Sequence, residues 1–309
     1  MRVSVIIPVY NEEKVILECL KSLDKQFEKD FEVILVDDGS TDDTLKIISE
    51  FKSKKYKIIV LKQNHEGPAI ARNLGAKYSK GKILVFVDSD MTFSENFLGE
   101  LVGPIREGKT NGTFSKLEYV KNKNNIWAKC WGINQGWLEG MRHPRDYPDQ
   151  QKVFRAILKS EFEKVNGFSK GGYTDDYTLS DKLGYQAIAA KAVFYHENPD
   201  NLKEVFEQAK WSAKRKYKMG FIGELIATLR SFILISIIAG LLKWFDILGL
   251  FLIFKKNEID EPKYSFKNYF YDLLNRFVLA IGFLVFKIVY DFGIFVGILE
   301  MMFTGKTAK

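Results

Sequence analysis

The fold of this chain is decided by one stretch, Lys82-Ile83-Leu84-Val85-Phe86-Val87-Asp88-Ser89-Asp90. Its run of β-branched and aromatic apolar residues, 83–87, predicts a strand that is buried on both faces. The run stops at two carboxylates, Asp88 and Asp90. Ligands of parallel α/β sheets bind at the carboxyl ends of the strands, and hard oxygen ligands at this spacing suit Mg²⁺ or Mn²⁺. We therefore expect a ligand site at this sheet edge; an ordinary acidic turn is the alternative.

Strands and helices alternate around this stretch. Short apolar runs at 3–7, 31–36 and 56–61 predict three more buried strands. Each is followed by a helical pattern, with Asn11 as a candidate N-cap for the first helix. This alternation over about ninety residues predicts an α/β fold with a mainly parallel sheet flanked by helices.

The middle of the chain is less regular. Its patterns predict a helix over 95–104, strands over 112–119 and 187–195, and a helix over 125–142 that carries three tryptophans. We expect most of these tryptophans to serve in packing. A loop bounded by prolines follows at 142–148, and we expect it to cover the site as a mobile segment.

Composition limits the class of protein. The chain has 309 residues and a formal net charge of +7, which is compatible with nucleic acid, an anionic membrane or phosphorylated substrates as partners. No nucleic-acid-binding motif is present, so we expect no nucleic-acid partner. Two cysteines, Cys19 and Cys130, fit a reducing compartment and no disulfide framework. The first apolar run is too short for a signal peptide.

Four segments together resemble the family 2 glycosyltransferases. They occur in the family's order and spacing and cover residues 1 to about 100: Pro8-Val9-Tyr10-Asn11-Glu12-Glu13, Val36-Asp37-Asp38-Gly39-Ser40-Thr41-Asp42, Gly67-Pro68-Ala69-Ile70-Ala71-Arg72-Asn73 and Asp88-Ser89-Asp90. The resemblance implies an inverting enzyme with a Rossmann-like GT-A fold and a divalent cation, Mn²⁺ or Mg²⁺. It also implies a nucleotide-sugar donor.

The donor site that the resemblance implies is built from residues of these segments: Pro8, Tyr10, Glu12, Asp38, Arg72, Asp88 and Ser89. Asp38 would accept a hydrogen bond from a base N–H or a ribose hydroxyl. The guanidinium of Arg72 is suited to bidentate contact with phosphate. The alternatives are turn formation for Asp38 and a solvated helix surface for Arg72.

The resemblance also implies a metal site and a general base. The metal ligands would be Asp90, Asp88 and His196, since neutral imidazole is a good Mn²⁺ ligand. The base would come from the acidic pair Asp175 and Asp176. The family's base corresponds to Asp176, while Asp175 stands where glutamate is usual, so the choice between them stays open. Helix capping is the alternative role for this pair.

The C-terminal third is strongly apolar over 225–254 and 277–303. Charged residues interrupt both stretches, Lys243 and Asp246 in the first, Lys287 and Asp291 in the second, at spacings that allow ion pairs within a helix. Two arrangements remain open: a transmembrane hairpin, or helices that lie in the membrane interface or pack in a homo-oligomer. We expect a catalytic domain over 1–220 and a membrane-associating helical region over 221–309.

The sequence thus predicts an inverting glycosyltransferase at the cell membrane, with its catalytic domain in the cytoplasm. The expected donor is a UDP- or GDP-sugar, and the acceptor is a hydroxyl or lipid phosphate of a glycan or lipid-linked molecule. Two alternatives are a non-catalytic nucleotide-sugar-binding or scaffold protein and a nucleotidyltransferase. The second would carry a Gly-rich phosphate loop after the first strand, and residues 8–13 are not one.

Overall fold

A computed structural model describes residues 1–170, 176–214, 217, 219–232, 235–244, 246–247 and 266–304, with 266–272 described by their backbone alone. The chain forms two compact units. The first consists of Met1–Lys121 and Met141–Glu197; the second consists of Asn122–Gly140 and the described part of Asn198–Ala308. The functional division expected at residue 220 remains a prediction.

The first unit is built on two sheets. Its strands are β1 (Val3–Val9), β2 (Phe31–Asp37), β3 (Lys57–Lys62), β4 (Ile83–Phe86), β5 (Met91–Phe93), β6 (Gly112–Ser115), β7 (Glu118–Val120), β8 (Gln150–Gln151), β9 (Ala156–Leu158), β10 (Ala187–Ala190) and β11 (Phe194–His196). Within the described residues, eight strands form one sheet in the order β3-β2-β1-β4-β9-β6-β10-β8, and three form another in the order β5-β11-β7. The β1, β2, β3 and β4 strands are mutually parallel where they pair.

The helices are α1 (Ile16–Asp24), α2 (Thr44–Glu50), α3 (Pro68–Tyr78), α4 (Phe97–Arg106), α5 (Ile126–Gln135), α6 (Lys159–Lys164), α7 (Thr178–Leu183), α8 (Leu202–Ala213), α9 (Phe221–Arg230), α10 (Ile235–Trp244) and α11 (Phe266–Thr304). Helices α5 and α8 to α11 belong to the second unit. The other six flank the sheets of the first unit. The predicted α/β class with a mainly parallel sheet is confirmed.

The large sheet is covered on both faces. Alternate residues of β1 enter opposite cores, Val5 and Ile7 in one and Ile6 in the other, and all three are fully buried. All four residues of β4 are buried as well, as the opening stretch predicts. Because β1 pairs in parallel with both β2 and β4, the carboxyl ends of these three strands lie at one sheet edge.

Three predicted elements are shorter in the structure. The strands expected over 112–119 and 187–195 each divide in two, because their halves pair in different sheets. At the first division the Ser115 hydroxyl donates to the carbonyl oxygen of Ala192 (2.5 Å) and accepts from the Leu117 amide (3.0 Å). The helix expected over 125–142 ends at Gln135, because Gly136 takes a left-handed conformation with φ of 71°.

The predicted N-cap role of Asn11 is wrong. Helix α1 begins five residues later, at Ile16. Asn11 has φ of 57°, a left-handed conformation that asparagine tolerates better than most residues. Its side-chain oxygen accepts a hydrogen bond from the amide of Thr41 (2.8 Å). The residue therefore connects two loops at the sheet edge and caps no helix.

The second unit has its own core. It contains Cys130 and Trp131 of α5, Val205 of α8, and Phe283 and Phe286 of α11. Within the described residues one helix, α11, is long and apolar enough to cross a membrane, over Leu273–Thr304, with a mean hydropathy of 2.1. Helices α9 and α10 meet the same criterion only together, across a bend of 62°.

Candidate active site

The loops that follow β1 and β2 interlock. The amide of Asn11 donates to the Ser40 hydroxyl (3.0 Å), and the amide of Glu12 donates to the Thr44 hydroxyl (2.7 Å). The amide of Thr41 returns a hydrogen bond to Asn11. These contacts explain the residue types of the first two sequence segments, because amides and short polar side chains satisfy the exposed backbone of each loop.

Asp38 organises the segment between β3 and α3. Its carboxylate is buried, and it accepts from the Gln63 side-chain amide (2.7 Å) and from the backbone amides of Glu66 (2.8 Å) and Gly67 (2.9 Å). The Nδ1 atom of His65 lies 3.1 Å from the same carboxylate. All four contacts are made within the protein, so Asp38 fixes this segment in place. Its expected direct contact with a base or ribose remains a prediction.

An aromatic pair lies beside this segment. The ring centroids of Tyr10 and His65 are 4.1 Å apart at an interplanar angle of 31°. Tyr10 is 41% exposed and follows Pro8 by two residues at the end of β1. An exposed aromatic ring next to a fixed hydrogen-bonding segment is a suitable surface for a nucleobase.

Arg72 joins two of the predicted acidic groups. From α3 its buried guanidinium donates to Asp176 Oδ1 (2.5 Å) and to Asp88 Oδ1 (2.8 Å). Arg155 donates to the other oxygen of Asp88 (3.1 Å). Asp176 lies just before α7 and keeps a side chain that is 33% exposed. The site thus brings together two partly exposed carboxylates and two guanidiniums.

A second chain of contacts runs through His196. Its Nε2 lies 2.7 Å from Asp90 Oδ2, and its Nδ1 lies 2.9 Å from Glu118 Oε1. The small sheet creates this arrangement, because β11 pairs with β5, which follows Asp90, and with β7, which begins at Glu118. The Nε atom of Arg142 lies 3.4 Å from the same Glu118 oxygen.

These contacts lower the pKa values of two carboxyl groups, Asp88 and Glu118. Burial acts to raise the pKa of Asp88, but Arg155 and Arg72 outweigh it and hold the pKa well below its usual range. For Glu118, burial is likewise outweighed by Arg142 and His196, and its pKa falls to about 2. Both carboxylates are therefore ionised at neutral pH.

The pKa values of His196 and Glu12 are raised instead. Burial acts to lower the pKa of His196, but Asp90 and Glu118 raise it to about 9. Burial and the charge of Asp90 raise the pKa of Glu12 to about 7, against the hydrogen bond from Ser89. Glu12 therefore lies within electrostatic reach of Asp90 and within hydrogen-bonding reach of Ser89.

The residues at Asp90 are chemically suited to a divalent cation. Asp90 Oδ1 is buried and accepts no hydrogen bond within the described part of the chain. A carboxylate and an imidazole are ligands that Mn²⁺ accepts, and Glu118 fixes the orientation of the imidazole. Among the residues that the structure describes, no group of three or more His, Cys, Asp or Glu side chains forms a metal cluster. A cation here would therefore take its remaining ligands from substrate or water.

The structure places ten of the eleven predicted site residues in or beside two groups, and Asp175 lies outside the described residues. Tyr10 and Asp38 form the first group with the 63–67 segment, next to Pro8. The second contains Glu12, Arg72, Asp88, Ser89, Asp90, Asp176 and His196. Sequence reasoning missed Arg155 and Glu118 and assigned Arg142 only to a loop. None of the three follows a recognisable motif, and their partners become visible only through strand pairing.

This fold and site define an α/β protein of the GT-A class. The crystal structure of S. aureus TarS matches it with a TM-score of 0.51 at 25% identity, over 69% of this chain and 39% of that chain. Mannosyltransferase PcManGT from Pyrobaculum calidifontis, solved with GDP-Man and Mn²⁺, matches with a TM-score of 0.51 at 22% identity, over 68% and 61% of the two chains. These likenesses concern the fold.

The chain belongs to glycosyl transferase family 2, whose model matches residues 4–166. It is 37% identical over 173 residues to a poly(ribitol-phosphate) beta-glucosyltransferase of Bacillus spizizenii, which covers 52% of this chain and 26% of that protein. Glycosyltransferase GlyG of Streptococcus pneumoniae is 29% identical over 209 residues, 63% of this chain and 68% of that protein. The match thus spans about a quarter of the first relative and two thirds of the second.

Proposed function

We propose that this chain is an inverting glycosyltransferase that moves a sugar from a nucleoside-diphosphate sugar to an acceptor hydroxyl. The observation that carries the proposal is the bridge made by Arg72, which holds Asp176 and Asp88 on one guanidinium. Asp176, which would act as the base toward the acceptor, and Asp88, at the edge where the donor would bind, are thereby held within a few ångströms of each other. Such fixed placement is a large part of what catalysis of a displacement needs.

Asp176 is the proposed general base. Its carboxylate is partly exposed and can take the proton of the acceptor hydroxyl. The acceptor oxygen forms a bond to the anomeric carbon while the bond from that carbon to the diphosphate oxygen breaks. A single displacement inverts the configuration, so an α-linked donor gives a β-linked product. Asp175 remains the second candidate base.

Asp90 and His196 would hold Mn²⁺ or Mg²⁺, with Asp88 as the predicted third ligand; the imidazole would lose its proton from Nε2 when the cation binds. When bound, the cation neutralises charge on the leaving diphosphate. Glu118 accepts a hydrogen bond from Nδ1–H of His196 and so leaves Nε2 directed at Asp90. Arg72 and Arg155 contribute two further positive charges at this edge, where diphosphate is the expected ligand.

The proposed donor is a UDP- or GDP-sugar. Proteins with this fold have been solved with UDP-GlcNAc and with GDP-Man and Mn²⁺. Two relatives, at 37% and 40% identity over part of the chain, are named as β-glucosyl and β-N-acetylglucosaminyl transferases acting on poly(ribitol-phosphate), which agrees with β-linked products. We propose a glycan or lipid-linked acceptor at the membrane, because α11 supplies a long apolar helix.

Calorimetric titration of the purified chain tests the donor. UDP, GDP, CDP and dTDP are compared with and without Mn²⁺. We expect one diphosphate to bind tightly, and only with the cation. Binding without metal dependence would remove Asp90 from its role, while no binding of any diphosphate would contradict the proposed function.

Asp176→Asn tests the base. The variant should keep Mn²⁺-dependent binding of the diphosphate and lose at least about a thousandfold in turnover of the matching nucleotide-sugar. Asp181→Asn is the matched control, because Asp181 lies on α7 with an exposed carboxylate that pairs only with Lys152 among the described residues. Normal turnover in Asp176→Asn would show that another group is the base.

A further inference from the structure

An uninterrupted apolar stripe runs along one side of α11. Its most exposed members recur three, four, seven or eleven residues apart, and each is between 40% and 86% exposed: Leu274, Val278, Ile281, Val285, Phe292 and Phe303. The partly exposed Ile288, Val296 and Leu299 continue the same spacing. At 1.5 Å per residue the stripe is about 44 Å long. It contains no charged residue.

The opposite side of α11 is covered by two other helices of the same unit. Gly282 lies against Ile126 of α5. The ring centroid of Trp131 is 6.2 Å from that of Phe286 in an edge-on contact. Further along, Gly293 lies against the backbone of α8. Glycine at such points allows close approach of two helices.

Both helices that cover α11 carry exposed charged side chains. Helix α5 exposes Lys129, and α8 exposes Lys203, Glu204 and Glu207. The contacts of these two helices with α11 run from Gly282 to Glu300. A bilayer spanned by α11 would bury these charges in hydrocarbon, at about 3 kcal/mol for each charge at the membrane centre. Residues 273–281 of α11 come before these contacts and span about 14 Å, which is less than half of a hydrocarbon core of about 30 Å.

Three charged residues of α11 have ion-pair partners away from the stripe. Lys287 donates to the buried Asp291 (2.7 Å), the pair that the sequence spacing predicts. Glu300 accepts from Lys210 and Lys214 of α8, both at 2.6 Å. The stripe is therefore an apolar side of a helix whose opposite side packs on protein, which is the pattern of a helix lying in a membrane interface.

Helices α9 and α10 add to the exposed apolar surface. Helix α9 has no fully buried residue. Its exposed apolar side chains are Phe221, Ile222, Leu225, Ile226 and Leu229. On α10 the exposed apolar side chains are Ile235, Ile238, Leu241 and Leu242. Apolar surface of this extent marks a site of attachment.

The positive charge of the C-terminal region indicates that an anionic lipid bilayer covers the exposed apolar surface of α9, α10 and α11. Residues 198–309 contain 16 Lys and Arg against 11 Asp and Glu, which is +5 of the chain's +7. The run Lys214-Arg215-Lys216-Tyr217-Lys218 comes directly before α9 in the sequence. Basic residues that adjoin an apolar helix are attracted to anionic headgroups, by about 1 kcal/mol for each Lys or Arg near the surface.

We propose that the second unit docks on the surface of an anionic bilayer with α11 parallel to the membrane plane. The stripe from Leu274 to Phe303 enters the interface along its whole length, and both ends of the helix stay on one side of the membrane. This decides between the two arrangements that the sequence leaves open. The proposal does not depend on the catalytic activity.

Spin-label depth measurements test the orientation. A cysteine is placed singly at positions 278, 285, 292 and 303, labelled with a nitroxide, and the full chain is bound to vesicles of phosphatidylcholine and phosphatidylglycerol. The native Cys19 and Cys130 are buried, and the unchanged chain gives the labelling background. We expect similar shallow depths at all four positions. Depths that pass through a maximum along the helix would indicate a spanning helix, and labels shielded from lipid in a dimer would indicate a second copy; either overturns the proposal.

Vesicle flotation tests whether the apolar stripe of α11 is responsible for membrane binding. Ile281→Asn with Phe292→Asn removes two large apolar side chains from the stripe, and we expect the partition coefficient to fall at least about tenfold. The matched control is Phe27→Asn with Tyr78→Asn, which removes two exposed aromatic side chains of the first unit and should leave flotation unchanged. Thermal melts confirm folding of both variants. Equal flotation of the two variants, or equal binding with and without phosphatidylglycerol, would overturn the proposal.

Discussion

At the level of single residues, the geometry of one guanidinium matters most. Arg72 reaches two carboxylates with two different nitrogens, and only the planar fork of arginine holds both at fixed positions. We therefore expect Arg72→Lys to lower kcat/KM by about ten- to a hundredfold, since a charged hydrogen bond contributes about 1.5–3 kcal/mol. Steady-state kinetics with the matching donor measure this.

The control for this change is Arg106→Lys. Arg106 also uses two nitrogens, on Glu28 and on the carbonyl oxygen of Met1, but it lies on α4 and belongs to neither site group. Arg106→Lys should lower the free energy of unfolding somewhat and leave kcat/KM unchanged. If Arg72→Lys is as active as the unchanged chain, the positive charge alone matters and the fork does not.

Glu118 acts through His196. It accepts from the imidazole and thereby sets which nitrogen is available beside Asp90. Loss of such an outer-shell partner typically lowers metal affinity 10–100-fold. We expect Glu118→Ala to lower Mn²⁺ affinity by this factor and Glu118→Gln to lower it less. Electron paramagnetic resonance in the presence of the bound nucleotide measures the affinity.

Glu197→Ala is the matched control for that measurement. Glu197 is adjacent to His196 in sequence but pairs with Lys121 at the surface. Its loss should leave Mn²⁺ affinity unchanged. Unchanged affinity in Glu118→Ala as well would show that the orientation of His196 does not depend on Glu118.

Residues carried by motifs could be predicted, and residues without motifs could not. Asp88, Asp90 and Arg72 are recognisable because each sits at a strand end or helix start in a known order. Arg155 reaches Asp88 only because β9 inserts antiparallel between β4 and β6. Pairing of this kind depends on contacts between distant parts of the chain, which local patterns do not contain.

At the level of elements, apolar periodicity finds strands and helices more reliably than it finds their ends. Strand β4 lies where its apolar run predicts. The run at 187–195 looks like one strand, yet β10 and β11 pair in different sheets. The local pattern is the same on either side of the break. Only tertiary pairing decides where each strand stops.

The packing of α3 on the sheet gives an element-level prediction. A Cβ added at Gly75 would lie 2.5 Å from the Cγ2 of the buried Ile6, whereas one added at Gly99 of α4 meets nothing within 4 Å. Gly75→Ala should therefore lower the free energy of unfolding by about 1–3 kcal/mol through overpacking. Gly99→Ala should raise it by up to about 1 kcal/mol through helix propensity.

Chemical denaturation of the two alanine variants measures these opposite signs. Both substitutions exchange glycine for alanine inside a helix, so the propensity gain is common to them. Equal stabilisation by both would mean that α3 can move away from β1 at little cost.

At the level of the whole molecule, charge is divided unevenly between the two units. Residues 122–140 and 198–309 contain 18 Lys and Arg against 12 Asp and Glu, which leaves 28 against 27 for the rest of the chain. The unit that holds the candidate active site is therefore nearly neutral, and the unit with the apolar stripe is basic. Long-range attraction to an anionic surface would act mainly on the second unit.

This division predicts that the position of basic residues, and not net charge alone, controls membrane binding. Replacing Arg215, Lys216 and Lys218 by glutamine should lower partition onto phosphatidylglycerol-containing vesicles about a hundredfold, at about 1 kcal/mol for each charge. Replacing the exposed Lys52, Lys54 and Lys57 of the first unit removes the same three charges and should lower it only a few-fold. Flotation at several salt concentrations measures the partition coefficients of both variants. We expect the partition coefficient to depend less on salt than that of the unchanged chain in the first variant alone. Equal losses would mean that the chain responds to its total charge and that the basic run before α9 has no special part in docking.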